Sequence, residues 1–229
     1  MKCRRIAFLT FILAVAGVVL AVAGTAAANA QTGNVQTGNV QPPRAQAQAR
    51  QIDFGGSVYE AFMSSSTGHG VTQTPKNSMG GLFELHYLKS RYLGFGGSLS
   101  FNSVNETFAS TPNSTCGNAC PTTTVTGKSI VFDFDWIPSV KIGRLRPFGI
   151  AGLGLSVIPG NLSTYTVNTV MRPTYVFGGG VDYSLTSRLG VRGEYRYNLY
   201  KAPNLSTVFQ ATGTYTGTSE PMGGVFYVF

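Results

Sequence analysis

Gly223-Gly224-Val225-Phe226-Tyr227-Val228-Phe229 carries the reading of the whole chain. Side chains alternate across an extended strand, so Val225, Tyr227 and Phe229 fall on one face. A strand with an unbroken apolar face that ends on an aromatic ring suits contact with hydrocarbon. One such strand cannot stand alone in a membrane, because its backbone polar groups need partners on both sides. The reading therefore turns on whether the rest of the chain supplies the other strands.

It does so repeatedly. After Gln51 no apolar run reaches the length of a spanning helix, while two-residue alternation recurs. Met79, Gly81, Phe83, Leu85 and Tyr87 interleave with Gly80, Leu82, Glu84 and His86. Leu93, Phe95, Gly97, Leu99 and Phe101 interleave with small polar residues. Ile130, Phe132, Phe134 and Trp136 interleave with Ser129, Val131, Asp133 and Asp135. Tyr175 to Tyr183 and Val191 to Leu199 continue the pattern, with Asp182, Arg192, Glu194 and Arg196 on the second face. Three weaker strands complete the set. In Asp53 to Met63, Glu60 shares a face with Phe54, Val58 and Phe62, which calls for a bulge or an early exit from lipid. Arg146 to Val157 is too rich in glycine for its faces to be assigned, and the terminal strand is the third.

Eight strands result, joined by connections of alternating length. Residues 64–77, 105–124, 158–171 and 202–217 form the long ones, and residues 89–91, 138–145 and 185–188 the short ones. This is the pattern of an all-β, eight-stranded antiparallel up-and-down transmembrane barrel. A soluble barrel has the same alternation with its faces exchanged. The polar faces here are mostly Gly, Ser, Asn and Thr, whereas a soluble exterior is rich in Lys and Glu. The other face has Tyr or Trp at its ends (Tyr87, Tyr92, Trp136, Tyr175, Tyr183, Tyr195, Tyr197, Tyr227), where amphipathic rings favour a membrane interface. Lipid outside and polar groups inside is the expectation.

Glu84, His86, Asp133, Asp135, Asp182, Arg192, Glu194 and Arg196 then share one lumen, and buried charges persist when paired and hydrogen-bonded. An internal ion-pair network is expected. It either fills an interior only wide enough for side chains or lines a narrow gated conduit.

Upstream, residues 1–30 combine a basic start, an apolar run from Ile6 to Ala23 and the small-residue exit Ala28-Asn29-Ala30. This is the form of a secretory signal peptide, with an uncleaved anchor as the alternative. Residues 31–51 repeat Gln-Thr-Gly-Asn-Val and have almost nothing to bury, so a flexible periplasmic tail is expected before the barrel at residues 52–229. Loss of Lys2, Arg4 and Arg5 would lower the formal charge from +8 to +5, too diffuse for a nucleic-acid footprint. Lys89, Arg91, Lys141, Arg144, Arg146 and Arg188 fall in the short connections, either against acidic headgroups or simply solvated. Cys116 and Cys120 lie in one polar loop, and a disulfide suits them better than a zinc site lacking nearby His.

Little points to catalysis. Only His69 and His86 are present, the first in a hydroxyl-rich loop and the second two residues from Glu84 on a lumen face; no spacing sets a nucleophile beside a base. The glycine stretches at 94–97, 149–154 and 178–180 lack the following helix and Lys-Ser/Thr of a phosphate loop. No catalytic residue, cofactor or metal is assigned.

Gly224, Tyr227 and Phe229 fill the places of the closing signal of bacterial outer-membrane β-barrels, with Met222 where a polar residue is usual. With the signal peptide and eight strands, the chain from about Gln51 to Phe229 resembles the small outer-membrane β-barrel domain proteins of the OmpA/OmpX and surface-antigen type. The resemblance implies an integral outer-membrane protein with both termini in the periplasm. Its partners would be membrane lipid, the barrel-assembly machinery and an extracellular ligand. It implies a non-enzymatic role in envelope integrity, adhesion or host contact, a narrow channel being the second reading and a lipid-modifying enzyme the third. Nothing follows the barrel, so no peptidoglycan-binding domain is expected.

Overall fold

The computed structural model describes residues 51–90, 92–110, 122–160, 169–206 and 209–229. The signal peptide, residues 31–50 of the tail, Arg91, Cys116 and Cys120 lie outside the described residues. Ten strands are present among them: β1 (Gln51–Met63), β2 (Ser66–Gly68), β3 (Val71–Pro75), β4 (Ser78–Leu88), β5 (Leu93–Ser110), β6 (Thr122–Pro138), β7 (Leu145–Ile158), β8 (Val170–Ser184), β9 (Leu189–Lys201) and β10 (Tyr215–Val228). Eight of them close a ring in the order β1-β4-β5-β6-β7-β8-β9-β10, sealed by the antiparallel pairing of β1 with β10. The terminal strand is thus the closing stave. Its last amide, Phe229 N–H, donates to the Ile52 carbonyl at 3.0 Å.

The ring is sheared. Stepping between hydrogen-bonded partners from Asp53 through His86, Gly96, Asp135, Gly152, Val176, Asn198 and Thr218 returns the path to β1 at Met63, ten residues further along. Ten residues of strand against eight interstrand spacings sets a tilt of about 40°, so each residue climbs about 2.5 Å along the axis.

Faces follow the alternation. Phe54, Phe83, Leu85, Phe132, Phe134, Trp136, Phe177, Val225 and Phe229 are exposed on the outside. The strand whose faces glycine obscured, β7, sends Leu145, Leu153 and Leu155 outward and Arg146, Phe148 and Ile150 inward. At this tilt the apolar band is roughly 25 Å tall, the height of a membrane barrel's lipid belt. Tyr87, Tyr183 and Tyr227 ring it at the short-turn end, while Tyr175 and Tyr197 approach the long-loop border and Tyr195 falls between. Glu60 stays on the outer face with no bulge: it sits opposite Met79 in an unbroken register with β4. The ladder to β10 resumes with the same offset at Phe62 and Ser219 after skipping Pro221, which has no N–H to give.

Two long connections depart from expectation. Residues 64–77 contain the β2–β3 hairpin, and β5 and β6 continue as paired strands through residues 105–110 and 122–124. Above the apolar band the faces exchange character. Ser103, Asn105, Thr107, Thr124, Thr126 and Lys128 point outward, and Val104, Phe108 and Val125 point inward. The inner face packs with Val71, Ile158, Leu205 and Phe209 as an apolar cluster, with Phe108 and Phe209 stacked at 6.2 Å. Leu205 and Phe209 come from the β9–β10 connection, so this end of the barrel has a lid. Phe108→Ala should cost the outer half about 3–5 kcal/mol. Limited proteolysis should then cut within residues 202–214, while the spanning barrel still resists unfolding in unheated detergent.

Candidate functional site

The lumen holds the chain's charges. All nine acidic residues are described, and only Glu60 lies outside; Asp53, Glu84, Glu106, Asp133, Asp135, Asp182, Glu194 and Glu220 are enclosed. Arg146, Arg192 and Arg196 join them, each of the three under a tenth exposed.

The arrangement has two centres. At the short-turn end the Arg192 guanidinium donates from Nε to Asp182 at 2.6 Å and from Nη2 to Asp53 at 3.1 Å, while Nη1 meets Glu84. Its Cζ lies over the rings of Phe148 and Phe226, at 5.3 and 5.1 Å from their centroids, so cation–π attraction adds to the ion pairs. Arg146 binds the same two carboxylates, Asp182 Oδ2 at 2.8 Å, an oxygen it shares with Arg192 Nη2 at 3.1 Å, and Asp53 Oδ2 at 3.0 Å. His86 faces Asp53 through Nδ1 and Glu84 through Nε2, at 3.6 and 3.3 Å. Higher up, Arg196 pairs with Glu194, Asp133 and Asp135, and donates to Ser98 Oγ at 2.8 Å. Glu84 links the centres, its second oxygen lying 3.4 Å from Arg196 Nη2.

Small residues make the space. A methyl group at Gly190 would enter the Phe226 ring, and one at Gly152 would enter the Asp135 carboxylate. Six carboxyl groups surround three guanidinium groups here, so each arginine serves several acids.

All eight lumen residues expected from alternation fall in this cluster. Two further members, Asp53 and Arg146, were not anticipated, nor was Glu220, enclosed beside the cluster. Asp53 and Glu220 obey the same alternation as Phe54 and Phe229. Arg146 belongs to the lumen and not to a headgroup-facing turn, because β7 begins at Leu145 and turns its second residue inward.

Between this cluster and the lid is a cavity of about 20 Å³, enough for about one water, bordered by Glu106, Asn198, Tyr200, Thr218 and Glu220. Tyr200 and Thr218 hydroxyls are 2.9 Å apart, and Asn198 Oδ1 has no partner. Gln73 ties the lid together: its amide donates to Glu106 and, at 3.2 Å, to the Pro203 carbonyl. Ser66 and His69 of the hairpin reach Thr212 Oγ1 at 3.2 Å and the Ala211 carbonyl at 2.9 Å. His69 is therefore a stitch between the hairpin and the lid, and His86 is an element of the ion cluster. Glu106 lies above the apolar band, where burial pushes its carboxyl up to about 7 and the Gln73 amide offsets only part of the shift.

The comparisons agree with this architecture. The family model for the outer membrane protein beta-barrel domain matches residues 14–219. The chain belongs to that family. Among solved structures, OprG of Pseudomonas aeruginosa is 14% identical, with a TM-score of 0.51 over 79% of this chain and 96% of its own. Neisserial surface protein A is 16% identical, with a TM-score of 0.47 over 78% of this chain and 97% of its own. Ail, the attachment invasion locus protein of Yersinia pestis, is 15% identical in its complex with the heparin analogue sucrose octasulfate, with a TM-score of 0.42 over 78% of this chain and 99% of its own. At 14% identity the likeness to OprG speaks for the fold alone. No curated protein matches the chain by sequence.

Removing one partner of a buried, shared ion pair strands the rest, so Arg192→Met should cost about 3–5 kcal/mol in urea unfolding of the lipid-embedded barrel. Adding Glu84→Gln and Asp182→Asn to the same chain should recover much of that loss. The Glu106 shift carries a pH dependence of defined sign. The native carboxyl keeps its proton up to about 7, whereas the unfolded chain releases it near 4.5. Between those values the native state binds more protons, so the stability of the lid falls as pH rises, by up to about 3 kcal/mol. Hydrogen exchange of residues 203–214 should quicken across this window in the wild type and lose its slope in Glu106→Gln.

Proposed function

We propose that the protein is a non-conducting, non-enzymatic integral outer-membrane barrel that presents its β-built long-loop end at the cell surface, for envelope structure or surface contact. The observation that carries this reading is the obstruction of the lumen: Arg146, Arg192 and Arg196 bridge the walls at two levels, and an apolar lid covers the opposite mouth. A path for solutes would have to break buried ion pairs and then expel Leu205 and Phe209. The non-enzymatic part rests on the two histidines, one committed to carboxylates and one to a backbone carbonyl.

In this reading both termini lie in the periplasm, the outer-leaflet side is the long-loop end, and assembly machinery reads Gly224, Tyr227 and Phe229 during insertion. Hydroxyl-rich strand edges and the connection at 111–121 are the surface on offer to an extracellular ligand. Cys116 and Cys120, within that connection, are proposed to pair in an oxidising compartment.

Planar-bilayer recording should find the wild type silent, and conductance steps should appear only when Arg192→Ala and Arg196→Ala are combined with Leu205→Ala and Phe209→Ala, in barrels that remain heat-modifiable on gels. Conductance steps in the wild type would remove the non-conducting reading. An antibody epitope inserted between Ser110 and Thr122 should be reached on intact cells; an epitope reached only after the membrane is opened would invert the orientation.

A further inference from the structure

The exterior is electrostatically one-sided. With every acid but Glu60 enclosed, the exposed cationic side chains among the described residues are Lys76, Lys89, Lys128, Lys141, Arg144, Arg188 and Lys201. Lys89, Lys141, Arg144 and Arg188 belong to the short-turn rim. The other three lie at one level, about 26 Å along the axis from Asp53 and just above the apolar band. None of these three is paired with a carboxylate among the described residues.

Lys76 and Lys128 share a wall. Lys76 extends β3, its amide donating to the Asn105 carbonyl at 2.8 Å, and Lys128 sits opposite Ser103 on β6. Two strand spacings sideways and two residues along place their backbones about 12 Å apart. Ser103, Asn105, Thr107 and Thr126 fill the field between and above them, on the same strands whose lower halves carry Phe101 and Ile130 in the lipid-facing band.

We infer that this β3–β5–β6 wall binds the phosphorylated sugar headgroup of an outer-leaflet glycolipid. The layer that begins where hydrocarbon ends must touch it, since the same two strands pass from one to the other without a break. Two lysines supply point charges for phosphates. Their separation exceeds the reach of a single phosphate and suits the two ends of a disaccharide, and the hydroxyl and amide field between them suits sugar hydroxyls. Lys201, on the diametrically opposite strand, has no such field. The inference rests on the proposed orientation, but its chemistry can be read in detergent without it.

The mature barrel in neutral detergent, examined by native mass spectrometry, should retain lipid A bearing both phosphates. Lys76→Gln with Lys128→Gln should weaken retention at least tenfold, as should dephosphorylated lipid A. Lys201→Gln should change it less than twofold, and phosphatidylglycerol should bind more weakly than lipid A. Equal retention by the double variant, or phosphatidylglycerol binding as tightly as lipid A, overturns the site; so does an equal loss in Lys201→Gln. Heat-modifiable migration checks that each variant is folded. The epitope experiment reports separately on orientation, so a failure there leaves the binding result readable.

Discussion

The structure depends on keeping carboxylates out of hydrocarbon. A carboxylate facing lipid is costly and a barrel strand offers each residue one of two faces, so the parity of a residue decides its solvent. Eight of the nine acids take the inner parity. Once inside they need cations, and Arg146, Arg192 and Arg196 come from β7 and β9 to meet acids from β1, β4, β6, β8 and β9. The ion cluster thus cross-braces strands far apart in the chain, while the backbone ladder joins only neighbours.

Filling the lumen has a second effect. An eight-stranded ring is just wide enough for side chains, and these side chains span it. Glu84 reaches both arginines of β9, so neither centre can rearrange without disturbing the other. The interior is in this sense a solid, with glycines cut where rings and carboxylates need room. The outer half is held differently, by an apolar cluster around Phe108 and by hydrogen bonds from Gln73 and Ser66.

The barrel, its strand count and the eight lumen residues of the expected network were readable because they obey one rule over long runs. Asp53 and Glu220 obey it too, each taking the inner parity on a strand whose plainest signal is its outward aromatic, Phe54 or Phe229. Arg146 was hidden by glycine: with Gly149, Gly152 and Gly154 on both faces of β7, no apolar pattern marked the inward side. The upper strands were hidden by an inversion. There the inside is apolar and the outside carries Thr107, Thr124 and Thr126, so a search for oily exteriors reads the stretch as loop. Glu106 and Gln73 were lost with it. Their signal is the alternation Val104, Glu106, Phe108 against Ser103, Asn105, Thr107, which keeps its period while its sense reverses. Glu60 is a real exception to the rule: it stays on the outer face in an unbroken register with β4, and no inserted residue turns it away.

The lid has a bearing on the order in which the molecule is completed. Leu205 and Phe209 arrive on the link between the last two staves, so the chamber under the β2–β3 hairpin has no roof until β9 and β10 are in place. A chain halted earlier would leave Phe108 and its neighbours without their apolar cover. The roof is therefore the last part of the outer half to be completed.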